Sequence, residues 1–137
     1  MNRTRLKVML TKHEDLRLKP YRCTSGKLTI GVGRNLEDVG ISNDEAAFLL
    51  DNDINRVFAE LTKNVPSFGA LDEVRQHVLM DMNFNLGLPR LLKFEKFLAA
   101  VEARDFVTAA REMLNSKWAT QVGERAETLA TMMRGAV

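Results

Sequence analysis

A chain of 137 residues, 45% of them hydrophobic, can form one compact domain that buries roughly two-thirds of the surface its unfolded form exposes. Its single cysteine excludes an internal disulfide, and its two histidines, His13 and His77, are too far apart in sequence for a Cys/His metal cluster, so no metal and no cofactor are expected. The formal charge of +2 comes from scattered arginines and lysines rather than a basic block, which suits a solvated exterior and only weakly favours a polyanionic partner such as nucleic acid, an acidic wall polymer or a lipid surface.

The opening MNRTRLKVML is basic and only briefly apolar. It lacks both the roughly 7–15-residue core of a signal peptide and the ~20 apolar residues of a membrane span, so the chain is expected to be made and folded in a cytoplasm without stable membrane insertion. Residues 3–16 set Leu6, Met9, Leu10, His13 and Leu16 at helical spacing, with Glu14 near the end of the helix. The pattern then changes in KPYRCTSGKLTIGVG. A proline, the Ser25-Gly26 turn signal and the alternation of Leu28, Ile30 and Val32 predict a β-hairpin whose second face carries Thr29, Gly31 and Gly33.

Ser42 and Glu45 form a capping box that starts a helix over residues 42–64. Its stripe of Ala46, Ala47, Leu50, Ile54, Val57, Phe58 and Leu61 runs to a stop before Pro66, and such a helix could tie two lobes together. Residues 71–86 begin amphipathic and become apolar on most sides, as in a helix through a helical core, until Gly87 and Pro89 end it. Helices follow over 91–103, over 105–116 with Asp105 as N-cap, and over 123–133. The fold class is α+β and mainly helical: a small β-lobe over about 17–41, a linking helix, and a helical lobe over about 66–137 on which the helix over 3–16 packs.

Glu14 is read in two ways. Taken alone it is a surface glutamate beside Asp15; at the junction of an apolar stripe and a glycine-rich hairpin it is a carboxylate partly shielded from water, as a general acid requires. Cys23 is a small core hydrophobe in one reading. In the other, with Arg22, Thr24 and Ser25 beside it, it is a partly exposed thiol near positive charge. Thr29 by itself is simply a good strand former.

As a set, the spacing Glu14, eight residues, Cys23, five residues, Thr29, then Ile30-Gly31-Val32-Gly33, resembles the catalytic signature of the phage lysozymes, endolysins of the T-even and lambdoid type. The passage LRLKPYRCTSGKLTIGVGRN is similar to the helix-to-hairpin region of that family, and the likeness continues through MDMNFNLG, SKWATQVGERA and the ending MMRGAV. The resemblance implies a two-lobed lysozyme fold with Glu14 as proton donor, Cys23 in the second catalytic position and Thr29 holding a water or positioning the sugar. It places Asn85 and Arg125 among cleft-lining, substrate-binding residues. The alternatives are a buried amide for Asn85 and a first-turn surface charge for Arg125, with Trp118 a core anchor. In three respects the chain departs from the T-even pattern: a shorter segment between Gly33 and Ser42, which pares the β-lobe down to little more than a hairpin; Cys23 in place of the commoner carboxylate; and Arg34 where those members carry a histidine.

What the resemblance implies for function is hydrolysis of the β-1,4 bond between N-acetylmuramic acid and N-acetylglucosamine in peptidoglycan, leading to host lysis. It further implies a monomer that stays in the host cytoplasm until a holin-type permeabiliser releases it to the wall in the periplasm. Its partners are glycan strands and not nucleic acid. Two competing readings are a lytic transglycosylase acting on the same bond and a non-catalytic wall- or nucleic-acid-binding helical module. No helix concentrates basic and amide side chains as a DNA-recognition helix would.

Overall fold

A computed structural model describes residues 1–135; Ala136 and Val137, which close the MMRGAV ending, lie outside the described residues. The chain divides into two compact units, Met1–Leu50 and the remainder from Asp51. Among the described residues there are eight α-helices and one small antiparallel sheet, the α+β, mainly helical architecture expected.

The first unit opens with α1, Arg3–Glu14, whose N-cap Asn2 accepts the Arg5 backbone N–H at 2.9 Å. The helix stops two residues short of the expected end because Asp15 turns to φ 70°, outside helical conformation, and returns its N–H to the Thr11 carbonyl. Glu14 is thus the last helical residue, and no residue of α1 is buried. The sheet follows: β1 at Arg17–Arg22, β2 at Leu28–Gly31 and β3 at Arg34–Asn35, in the order β1-β2-β3. Tyr21 faces Thr29 across the first pair, and Thr29 faces Asn35 across the second. The expected hairpin therefore gains a two-residue third strand, because the turn at Gly33 (φ 66°) sends the chain straight back along β2.

Burial on β2 also differs from the alternation. Leu28 and Ile30 are only partly covered and Val32 lies beyond the strand, whereas Thr29 is buried at 3% exposure. Alternation assigns residues to two faces, but which face the rest of the chain covers depends on packing.

The capping box forms as read. Ser42 Oγ accepts the Glu45 N–H at 3.1 Å, Glu45 Oε1 accepts the Ser42 N–H at 2.9 Å, and α2 runs over Asn43–Asn64. The division between the units falls within this helix. Of its apolar stripe only Val57 and Leu61 are buried, both in the second unit, while Leu50, Ile54 and Phe58 stay 41–49% exposed.

The second unit carries the apolar core. After a 3₁₀ turn at Phe68–Ala70, α3 spans Glu73–Leu86 and buries Val78, Leu79, Met82 and Leu86. Gly87, at φ 80°, ends it, and Pro89 sits in the first turn of the short α4, Leu88–Leu91. Next come α5 (Glu95–Glu102), α6 (Phe106–Leu114), α7 (Lys117–Val122) and α8 (Glu124–Arg134). α6 packs on α5 and α8, and α3 packs on α8. The helix expected over 91–103 forms only as α5, with Leu91 closing α4 instead, and α7 was not among the helices expected from the sequence.

Side-chain caps start the next two helices. Asp105 accepts the Thr108 N–H at 3.1 Å to start α6, and Ser116 Oγ accepts the Ala119 N–H at 3.1 Å to start α7. Trp118, 3% exposed, meets Phe94 edge to face, the ring centroids 6.3 Å apart. Each fully buried Leu or Phe here contributes about 1.5–3 kcal/mol of hydrophobic free energy. Among the described residues no helix is long and apolar enough to cross a membrane.

Candidate active site

The turn between β1 and β2 presents Cys23. Its backbone N–H donates to the Lys27 carbonyl at 2.9 Å, and Gly26, at φ 80°, closes the turn by donating its N–H to the Cys23 carbonyl. The Cys23 thiol lies 3.1 Å from the Ser25 hydroxyl and is only partly covered. Hydrogen bonding at Ser25, then at the Lys27 and Ser25 backbones, lowers the thiol pKa to about 7 against a small opposing effect of burial; the Thr29 hydroxyl adds the least. A substantial share of Cys23 is therefore thiolate at neutral pH.

Thr29 is bound into the same turn. Its hydroxyl donates to the Lys27 carbonyl at 2.9 Å, the oxygen that also accepts the Cys23 N–H. One peptide group thus positions both residues. The hydroxyl has a single proton, so it can serve the Lys27 carbonyl or a Cys23 thiolate but not both at once.

Glu14 reaches the sheet from the end of α1. Its carboxylate lies directly over Gly33, just past β2, so closely that a Cβ on that glycine would stand 2.7 Å from Oε2. Glu14 is exposed, less shielded than its junction position suggested, because α1 buries none of its residues. All three residues read from the spacing therefore lie in the first unit, Cys23 on the β1–β2 turn, Thr29 on β2 and hydrogen-bonded to that turn, and Glu14 over the glycine loop that follows β2.

The loop from Gly33 is anchored by Arg34. Its guanidinium donates to the Gly40 carbonyl at 3.0 Å and to Glu45 Oε1 at 2.9 Å, with a second contact to Oε2 at 2.8 Å. Arg34, and then the Ser42 N–H, hold the Glu45 carboxyl down to a pKa of about 2. At the other side of the sheet, Glu37 accepts from both Arg22 and the Leu28 N–H.

In the second unit Asn85 is exposed, not a buried amide, and its Oδ1 accepts the Trp118 indole N–H at 2.7 Å. Arg125, in the first turn of α8, is half-exposed and forms a two-point contact with Asp81, Nε and Nη2 lying 2.8 and 2.7 Å from Oδ1. Asp81 and Asn85 are one helical turn apart on α3, so Arg125 and Asn85 are set along the same face of that helix. Asp81 was missed in the sequence because its partner lies 44 residues away. Gly33 was missed because the two glycines of Gly31-Val32-Gly33 look alike until Glu14 is placed over one of them.

A small three-stranded antiparallel sheet followed by a mainly helical unit is the α+β architecture of a lysozyme-like fold. Residues 11–134 match the phage lysozyme family, and the chain belongs to that family. It is 26% identical to the probable T4-type lysozyme 1 of Dictyostelium discoideum, over 93% of this chain and 92% of that protein. It is 29% identical to an endolysin of Acyrthosiphon pisum secondary endosymbiont phage 1, over 81% of this chain and 75% of the endolysin. It is also 28% identical to the pre-baseplate central spike protein Gp5 of Enterobacteria phage T4, over 91% of this chain but only 27% of the spike protein.

Proposed function

We propose that the chain is an endolysin: a muramidase that hydrolyses the β-1,4 bond between N-acetylmuramic acid and N-acetylglucosamine in peptidoglycan and so lyses the host cell. Membership of the phage lysozyme family supports the peptidoglycan substrate. The observation that carries the reading is the Glu14 carboxylate held over the glycine loop of a sheet whose turn presents a thiol with a pKa of about 7.

In this reading Glu14 gives its proton to the leaving glycosidic oxygen while positive charge builds at the anomeric carbon. The Cys23 thiolate stabilises that charge and takes a proton from the attacking water, so that the water oxygen bonds to the anomeric carbon as the leaving sugar departs with the proton from Glu14. Thr29, buried and hydrogen-bonded to the Lys27 carbonyl, fixes the turn that carries Cys23. Asn85 and Arg125 bind the glycan strand, their hydrogen bonds to Trp118 and Asp81 limiting their rotamers. The enzyme acts as a monomer and reaches the wall from the host cytoplasm through a holin-type lesion.

Loss of turbidity of permeabilised Gram-negative cells tests the reading. Wild type should clear the cells, Glu14→Gln should lose about 10²–10⁴ in rate while still folding, and Cys23→Asp should outperform Cys23→Ser. A fully active Glu14→Gln would reject the muramidase assignment. A second reading, a muramidase carried in the virion, is favoured by the similarity to the T4 central spike protein; absence of the chain from purified virions by mass spectrometry would dismiss it.

A further inference from the structure

We infer that Gly33 is a positioning residue for Glu14: its missing side chain is the space in which the Glu14 carboxylate sits. The inference rests on the proposed role of Glu14 as proton donor. A Cβ at position 33 would stand 2.7 Å from Glu14 Oε2, 3.0 Å from Cδ and 3.1 Å from Cγ, inside the contact distance of all three atoms. Carbon atoms in contact normally keep about 3.5–4.0 Å, so the carboxylate and a methyl group cannot share this place.

Conformation alone does not explain Gly33. Gly26, Gly31 and Gly33 all have positive φ, at 80°, 71° and 66°, and each would strain an alanine backbone. At Gly26 and Gly31, however, an added Cβ would meet nothing within 4 Å. Gly33 alone of the three combines the left-handed backbone with an occupied Cβ site, and the occupant is the proposed acid.

The obstructing atoms are the far end of a flexible side chain. An alanine at 33 would therefore be accommodated by swinging Glu14 aside, not by distorting the sheet, and the cost should appear in turnover more than in folding. Displacing a reacting group by about 1 Å can cost on the order of 10²-fold in rate. Backbone strain, in contrast, should be common to the substitutions at 31 and 33.

The test compares Gly33→Ala, Gly31→Ala and Glu14→Gln, measuring kcat and KM on soluble uncrosslinked glycan strands and urea unfolding of each variant. The expected result is similar loss of stability for the two alanine variants, with kcat of Gly33→Ala roughly 100-fold below that of Gly31→Ala and KM nearly equal. Gly33→Asn, whose residue type tolerates left-handed backbone yet carries the same Cβ, must show the same kcat loss, and it keeps the test open if Gly33→Ala does not fold. Equal kcat for the 31 and 33 variants, with Glu14→Gln inactive, overturns the positioning role and leaves the muramidase reading standing. A fully active Glu14→Gln overturns that reading and this inference with it.

Discussion

Each of the two units of the chain is stabilised internally by a different kind of force. Among the described residues every buried apolar side chain, from Val57 to Met133, lies in the second unit; the only buried residue of the first is the polar Thr29. What the first unit has instead is a set of charge-assisted and backbone hydrogen bonds: Arg22 to Glu37, Arg34 to Glu45 and Gly40, Lys27 to Asp38, and the Ser42-Glu45 box. Apolar burial is non-directional and supplies bulk stability, whereas hydrogen bonds add little net energy but specify geometry. The proposed acid, thiol and threonine are all in the unit built for geometry.

One helix tests the contrast most severely, because α2 contributes to both units. Leu61→Ala, in the core, should cost about 2–5 kcal/mol in urea unfolding. Leu50→Ala, half-exposed on the same helix, should change stability by less than about 0.5 kcal/mol. Equal costs would abolish the distinction.

The chemistry of the polar unit gives the next largest effect. With a thiol of pKa about 7 as the second group, activity should rise through a limb near pH 7 as Cys23 ionises. In Cys23→Asp that limb should move down by roughly three pH units, toward the ordinary aspartate value. A limb that stays near neutrality in both proteins would assign it to another group.

A smaller change is expected of Trp118→Phe, which removes the indole donor to Asn85 from an otherwise apolar site. It should cost about 1 kcal/mol, since the exposed Asn85 can turn to water. Smallest is Arg34→Gln. Glu45 titrates near 2 when folded against an ordinary value of 4.5, so its ionisation contributes stability above pH 4.5 that is lost as pH falls toward 2. The thermal midpoints of wild type and Arg34→Gln should therefore differ slightly at pH 7 and converge near pH 2. The pair is partly solvated, so added salt should also shrink the difference.

Much of this was legible in the sequence wherever a side chain speaks to its own neighbourhood. The Ser42-Glu45 box and the Asp105 cap act over three residues, and both helices begin where those caps put them. The six-residue α7 was not legible, because so short a helix shows less than two full periods, and its cap Ser116 read as the tail of the helix before it. The burial of Thr29 was hidden for a different reason. It depends on which face of β2 is covered, and the third strand that pairs with it there comes from a turn whose return path the alternation does not encode. Asp81 beside Arg125 and Gly33 beneath Glu14 are likewise products of tertiary folding, invisible to any local pattern.

The Arg34–Glu45 pair has a consequence for the length of the loop it closes. The two residues are 11 apart in sequence, and their contact pins both ends of the intervening loop, so the pair works as a non-covalent ring closure. Closure entropy grows only with the logarithm of loop length, each doubling costing about 0.6 kcal/mol. Extra residues inserted between Leu36 and Ile41 would thus extend outward as a flexible polymer while the glycine turn and the start of α2 stayed clasped where they are.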